Sequence, residues 1–205
     1  MYSISYAITI WNEHKELDRL LHQLKSFVKE NDEIVVQMDS RATDEVKEVL
    51  KNHNLVGHSF EYNDNTQSFK NNLNKLCTKD YILQIDGDEL LSDKLLKEID
   101  NILESNSDAD VFIMPRINIL VDESELEDYI NNLSWVNNES DWRCYPDEQI
   151  RLFKNKTNIV WGGDRMHTHL VGFNTLKNLN KGYDLIHVKS FQKQKKQDDY
   201  YAIVC

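Results

Sequence analysis

Along the first half of the chain, short β-branched and apolar runs alternate with stretches whose apolar side chains recur every three to four positions. Residues 3–10 predict a first strand. Leu17, Leu20, Leu21, Leu24, Phe27 and Val28 then predict a helix over residues 14–29 with one apolar stripe. Residues 33–38 predict a second strand. Thr43 can cap the helix after it, with Asp44 and Glu45 in its first turn and Val46, Val49 and Leu50 inward. Residues 58–62 predict a third strand, Phe69, Leu73, Leu76 and Cys77 a helix, and residues 81–85 a fourth strand. Ser92 and Asp93 make a good start for a helix carrying Leu95, Leu96, Ile99, Ile102 and Leu103. This alternation is the pattern of an α/β sheet with helices on its faces. Beyond it, residues 111–120 read as a strand and residues 121–143 as an acidic, asparagine-rich excursion. Returns at residues 148–154, 158–161 and 183–189 are expected to give the sheet a mixed edge, not a second domain.

The most informative run is Tyr81-Ile82-Leu83-Gln84-Ile85-Asp86-Gly87-Asp88-Glu89, an apolar strand ending in three carboxylates around one glycine. Burying like charges together is costly unless a cation joins them. Oxygen ligands on a tight turn favour a hard divalent ion, Mg2+ or Mn2+, which usually holds phosphates in turn. On that reading the strand end is a site for a nucleoside diphosphate. Acidic residues after a strand also make solvated turns, and the motif alone leaves both readings open. An EF-hand fails because the glycine comes too early and no closing Glu follows. A phosphoaspartate nucleophile would also follow a strand, but the hydroxyl residue such enzymes usually place after the second Asp is missing. Ligands of open α/β sheets gather at the carboxyl ends of strands, so residues 9–13, 39–41 and 86–89 are expected to share one crevice.

Composition narrows the class. The chain has 205 residues, 40% of them apolar, and two prolines, which suits one folded domain. A net charge of -11 argues against a general nucleic-acid binder. Cys77, Cys144 and Cys205 are far apart and odd in number, which fits neither a disulfide framework nor a zinc cluster and favours a reducing, cytoplasmic setting. No stretch reaches the length of a transmembrane segment. The basic run Lys193-Gln194-Lys195-Lys196 reads either as a solvated helix face or as a peripheral contact with a membrane or an anionic acceptor.

In order and spacing, five segments resemble family 2 glycosyltransferases of the GT-A fold, especially the branch with bacterial-type lipopolysaccharide-core sugar transferases. They are Ile8-Thr9-Ile10-Trp11-Asn12-Glu13, Gln37-Met38-Asp39-Ser40, Ser68-Phe69-Lys70-Asn71-Asn72 leading to the Asp80–Glu89 run, Tyr145-Pro146-Asp147-Glu148-Gln149-Ile150-Arg151-Leu152-Phe153, and Trp161-Gly162-Gly163 running into Met166-His167. The resemblance implies a single GT-A domain, α/β, with a mixed, mostly parallel sheet and helices on both faces. Residues 1–110 would bind the nucleotide sugar and residues 111–205 would face the acceptor.

It further implies sugar transfer from a nucleotide-diphosphate donor, a UDP- or GDP-sugar, with Mn2+ or Mg2+. Thr9, Asn12, Glu13 and Asp39 would hold the base and ribose. Asp86 and Asp88 would form the DXD motif for ribose and metal, with Gly87 between them and Glu89 supporting the turn or facing the sugar. Asp147 and Glu148 are the candidates for the base that deprotonates the acceptor hydroxyl. Arg151 would pair with phosphate or lock those two carboxylates. This branch commonly carries His-Glu after the Trp-Gly segment, whereas this chain has His167-Thr168-His169. His167, His169 and His187 are candidate metal ligands, His167 first. The acceptor is left open among glycan, lipid-linked glycan, protein and modified nucleic acid. The rival readings are a nucleotidyltransferase, which usually carries a Gly-rich basic loop missing after this first strand, and a noncatalytic nucleotide- or sugar-binding module.

Overall fold

The computed structural model describes residues 2–131, 136–163 and 168–204. The first half follows the apolar pattern closely: β1 (Ile4–Ile10), α1 (His14–Lys25), β2 (Glu33–Asp39), α2 (Asp44–Asn52), β3 (Gly57–Phe60), α3 (Thr66–Leu76), β4 (Tyr81–Asp86), β5 (Glu89–Leu91) and α4 (Asp93–Ser105). The second half contains β6 (Val111–Val121), α5 (Leu126–Asn131), β7 (Trp142–Lys154), β8 (Val160–Gly163), β9 (Thr168–Val171), β10 (Leu176–Asn178), β11 (Leu185–Ser190) and α6 (Phe191–Val204).

Local chemistry explains several boundaries. Leu17, Leu20, Leu21 and Leu24 of α1 are fully buried against the sheet, each contributing roughly 1.5–3 kcal/mol of transfer free energy. The helix ends at Lys25, not residue 29. Asp32 captures the amides of Lys29 (3.1 Å) and Ile4 (2.9 Å), turning the chain into β2 while Phe27 and Val28 still pack on the core. Ser92 caps α4 by accepting from the Leu95 amide (3.3 Å), and Asn65 caps α3 by accepting from the Ser68 amide (2.8 Å).

Among the described residues the main sheet runs β3-β2-β1-β4-β7-β6-β11-β5, with β10 paired to β6. The pairs β1/β2, β2/β3, β1/β4 and β6/β11 are parallel, so the sheet is mostly parallel with antiparallel insertions. The expectation of a mixed edge holds for the return at residues 183–189 alone, where β11 pairs in parallel with β6 and antiparallel with β5, the last strand of the sheet. β7 enters antiparallel between β4 and β6, in the middle of the sheet, and begins at Trp142, six residues before the predicted return. Nor does the predicted return at residues 158–161 join that sheet: β8 forms a separate two-stranded sheet with β9. This hairpin covers one face together with α3, where Asn71 both donates to the Trp161 carbonyl and accepts from its amide, each at 2.8 Å. Trp161 is accordingly buried in the apolar cluster under α3 with Leu73, Phe153 and Leu170.

Candidate functional site

β1 lies between β2 and β4, and the strand order reverses at this point, leaving a crevice at the carboxyl ends. All three strands are parallel, which brings Thr9 to Glu13, Asp39 to Arg41 and Asp86 to Glu89 to one edge of the sheet. The Thr9 hydroxyl donates to Asp86 Oδ1 (2.9 Å), and the Gly87 amide donates to the Thr9 carbonyl (2.8 Å). Gly87 is needed here for space: a Cβ would stand 2.2 Å from Ile10 Cδ1 and 3.1 Å from the Thr9 carbonyl oxygen.

The acidic turn is held from below by two arginines. Arg151, whose side chain is only 4% exposed, donates from Nη2 to Asp86 Oδ2 (2.6 Å) and to Glu89 Oε1 (3.0 Å). Glu89, with a side chain 0% exposed, also receives Arg116 Nη1 (3.0 Å) and accepts from the Asp86 amide through Oε2 (3.0 Å). Arg151 reaches this position because it is the extra residue of a β-bulge: Phe112 pairs with Leu152 and Ile113 with Ile150, leaving it unpaired and re-aimed. Nε and Nη1 of Arg151 have no partner among the described residues. Burial raises the Asp86 carboxyl, but the Arg151 and Lys70 charges outweigh it and keep Asp86 ionised. Lys70 lies over the Trp161 ring (4.1 Å), and burial followed by the Arg151 charge pushes its ammonium down to about 8.

Arg116 continues the network to Asp147, donating from Nε (2.9 Å) and Nη2 (2.6 Å) to Oδ2. Asn118 Nδ2 (2.9 Å) and Gln149 Nε2 (2.8 Å) also donate to Asp147. The lock on Asp147 therefore comes from Arg116, while Arg151 holds the turn. Asp147 is held below the ordinary carboxylate range because these donors outweigh its burial. Glu148, its neighbour on β7, is exposed.

The orientation of Asn118 has a consequence for His187. A carboxylate accepts only, so the amide nitrogen must face Asp147 and Oδ1 must face His187 Nδ1, 3.1 Å away. Nδ1 is therefore the protonated nitrogen. His187 Nε2 is left pointing at Asp88 Oδ2 (3.5 Å), either as part of an imidazolium or with a lone pair for a cation. Two adjacent bonds of about 2.1 Å to an octahedral Mg2+ or Mn2+ span roughly 3.0 Å, so this pair would have to close by about 0.5 Å to bind one such ion together. Burial raises the Asp88 carboxyl, but His187, Lys193 and Lys189 together hold it well below the usual range.

At the neighbouring strand end, Asp39 accepts from the amide and side chain of Arg41 and from the Tyr62 amide (3.2 Å). Arg41 lies 5.3 Å from the ring of Trp11, which is 49% exposed. The exposed Asn12 donates its amide to Glu13 Oε2 (3.0 Å). His167 lies outside the described residues, and His169 is exposed on β9. A second cluster, Asp18, His22 and His53, sits on the α1–α2 seam with Asp18 Oδ1 2.7 Å from His53 Nε2. His53 Nδ1 has no partner among the described residues, so it lacks the outer acceptor that usually orients a metal-binding imidazole.

Residues 5–169 match the family described as Glycosyl transferase family 2. The chain belongs to this family. Its fold is similar to that of Staphylococcus aureus TarS 1-349 in complex with UDP-GlcNAc, at 15% identity and TM-score 0.63, covering 92% of this chain and 59% of that one. It is also similar to Mycobacterium tuberculosis glucosyl-3-phosphoglycerate synthase in complex with Mn2+, uridine-diphosphate and phosphoglyceric acid, at 9% identity and TM-score 0.60, covering 95% and 74%. These likenesses establish the GT-A fold. The chain thus spans less than two thirds of the TarS fragment. No curated protein matches the sequence. Among the described residues, no helix is long and apolar enough to cross a membrane.

Proposed function

We propose that this family 2 chain transfers a sugar from a nucleotide-diphosphate sugar to an acceptor hydroxyl, with a divalent ion at the acidic turn. The observation that carries the reading is the pair Asp88–His187 beside the parallel ends of β1, β2 and β4. The residues would divide the work as follows. Asp39 would accept from the nucleoside once the exposed Arg41 swings aside, and Trp11 would offer its face to the base. Asp86, fixed by Thr9 and Arg151, would contribute to ribose and metal binding, and Asp88 with His187 would bind the ion directly. Mn2+ or Mg2+ there would neutralise the diphosphate and stabilise it as it leaves. The TarS complex with UDP-GlcNAc and the synthase complex with Mn2+ and uridine-diphosphate support a uridine nucleotide as the first donor to test.

We assign Arg151 and Asp147 to positioning. The first is buried and the second is saturated by Arg116, Asn118 and Gln149. Glu148, exposed on the same strand, is then the residue to test as acceptor base. A thermal-shift titration with UDP and GDP, each with and without Mn2+, tests the donor site. A ligand at 100 times its dissociation constant stabilises by about 2.7 kcal/mol, or roughly 6 °C for this length. Asp88→Asn should keep the native melting temperature within a few degrees and lose the Mn2+-dependent shift. A wild-type shift that ignores Mn2+, or no shift with any nucleotide, would overturn the metal-dependent reading.

A further inference from the structure

Lys193, in the basic run of the tail, does not lie on a solvated face. It stands in the first turn of α6, where its amide donates to Ser190 Oγ (3.2 Å), and its side chain reaches back over the acidic turn. Its ammonium lies 3.1 Å from Asp88 Oδ2 and 3.0 Å from Glu13 Oε1, bridging the β4–β5 turn and the start of α1. The Asp88 oxygen it touches is the one that faces His187 Nε2 at 3.5 Å. One oxygen therefore serves both the ammonium and the imidazole that points at the ion position. A dication bound to that oxygen would stand within a few ångströms of the ammonium, where unscreened like charges repel strongly.

We propose that Lys193 is a resident counter-cation of the donor site: it occupies Asp88 in the unloaded protein and must leave before a divalent ion binds there, making the start of α6 a displaceable strap. The inference rests on the metal-dependent reading of the turn. The cation is well placed for the role. Its partners come from two elements far apart in the chain, its side chain is about one-third exposed (35%), and a long flexible stem lets it withdraw without unfolding β11. Without it, Asp88 and Glu13, which both bind this one ammonium, would repel each other, offset near Asp88 only by His187 and Lys189. The ammonium settles that repulsion while the site is unloaded, at the expense of metal affinity.

The test is Mn2+ binding in the absence of nucleotide, read from the electron paramagnetic resonance signal of free Mn2+, for wild type, Lys193→Gln, Lys195→Gln and Asp88→Asn. Lys195 is exposed on the same helix and controls for the general loss of a positive charge. Lys193→Gln should bind Mn2+ at least tenfold more tightly than wild type, with the gap narrowing as salt is raised. Lys195→Gln should change affinity less than twofold, and Asp88→Asn should lose the site. Equal affinity in wild type and Lys193→Gln, or an equal gain in Lys195→Gln, would overturn the counter-cation role. If Asp88→Asn still loses binding in that case, the metal-dependent reading stands without it. If none of the four proteins binds Mn2+, both fall together.

Discussion

Arg151→Met is the most demanding test of how the acidic turn is supported. The guanidinium is 4% exposed and neutralises two carboxylates, Glu89 at 0% exposure and Asp86 at 35%. Removing one partner of a buried, hydrogen-bonded ion pair typically costs about 3–5 kcal/mol, because the remaining charge has neither water nor a counter-ion. Glu89 keeps Arg116, and Asp86, which is 35% exposed, keeps water and the Lys70 charge, so the loss here should be about 2–3 kcal/mol. With an unfolding entropy of about 2.1 cal/mol/K per residue, 205 residues give about 0.43 kcal/mol/K, and the melting temperature should fall by roughly 5–7 °C. Calorimetry and urea unfolding would measure it, with an unchanged m-value showing that the native surface is preserved. Methionine keeps much of the apolar volume, so the effect reports charge more than cavity. Placing Glu89→Gln in the same background should return part of the loss, because the buried partner is then neutral. A drop below about 2 °C, or a double variant whose loss is the sum of the single losses, would refute the argument that this arginine holds the turn by compensating buried charge.

Two further outcomes follow from the same geometry. Gly87→Ala forces Ile10 aside and presses on the Thr9 carbonyl, so it should cost about 1–3 kcal/mol in urea unfolding and weaken nucleotide binding; unaltered stability would mean that the turn relaxes freely. Asp110 accepts from Lys156 (2.8 Å) and the Asn174 amide (3.0 Å), which hold its carboxyl well below the ordinary range despite burial. A depressed carboxyl stabilises the fold above its unfolded value, near pH 4, and that contribution is lost as pH falls through the native value. Melting temperature measured from pH 5 to pH 2 should therefore fall less steeply for Asp110→Asn than for wild type, and equal slopes would exclude the pair as an acid-sensitive contributor.

Much of this protein was determined by the sequence alone, because the signals concerned are local. A period near 3.6 placed the buried leucines of α1 and α4, and short apolar runs placed β1, β2 and β4. A strand followed at once by Asp86-Gly87-Asp88-Glu89 marked the acidic turn as a candidate site, and all five segments that carried the resemblance lie within the matched residues 5–169. What only the tertiary structure decided is which charge answers which. Arg116 meets Glu89 and Asp147 across 27 and 31 residues, Arg151 meets Asp86 across 65, and Lys193 meets Asp88 across 105. His187 was legible only as one of three candidate histidines. Its tautomer and aim depend on Asn118, which becomes its neighbour only because β11 pairs with β6. Likewise the apolar run Ile150 to Phe153 reads the same at an edge as in the middle of a sheet, so the place of β7 between β4 and β6 could not be read from it. A residue's period reports which side of its element is buried. Its charge partner is set by which distant strand lies beside it, and that is a property of the assembled sheet.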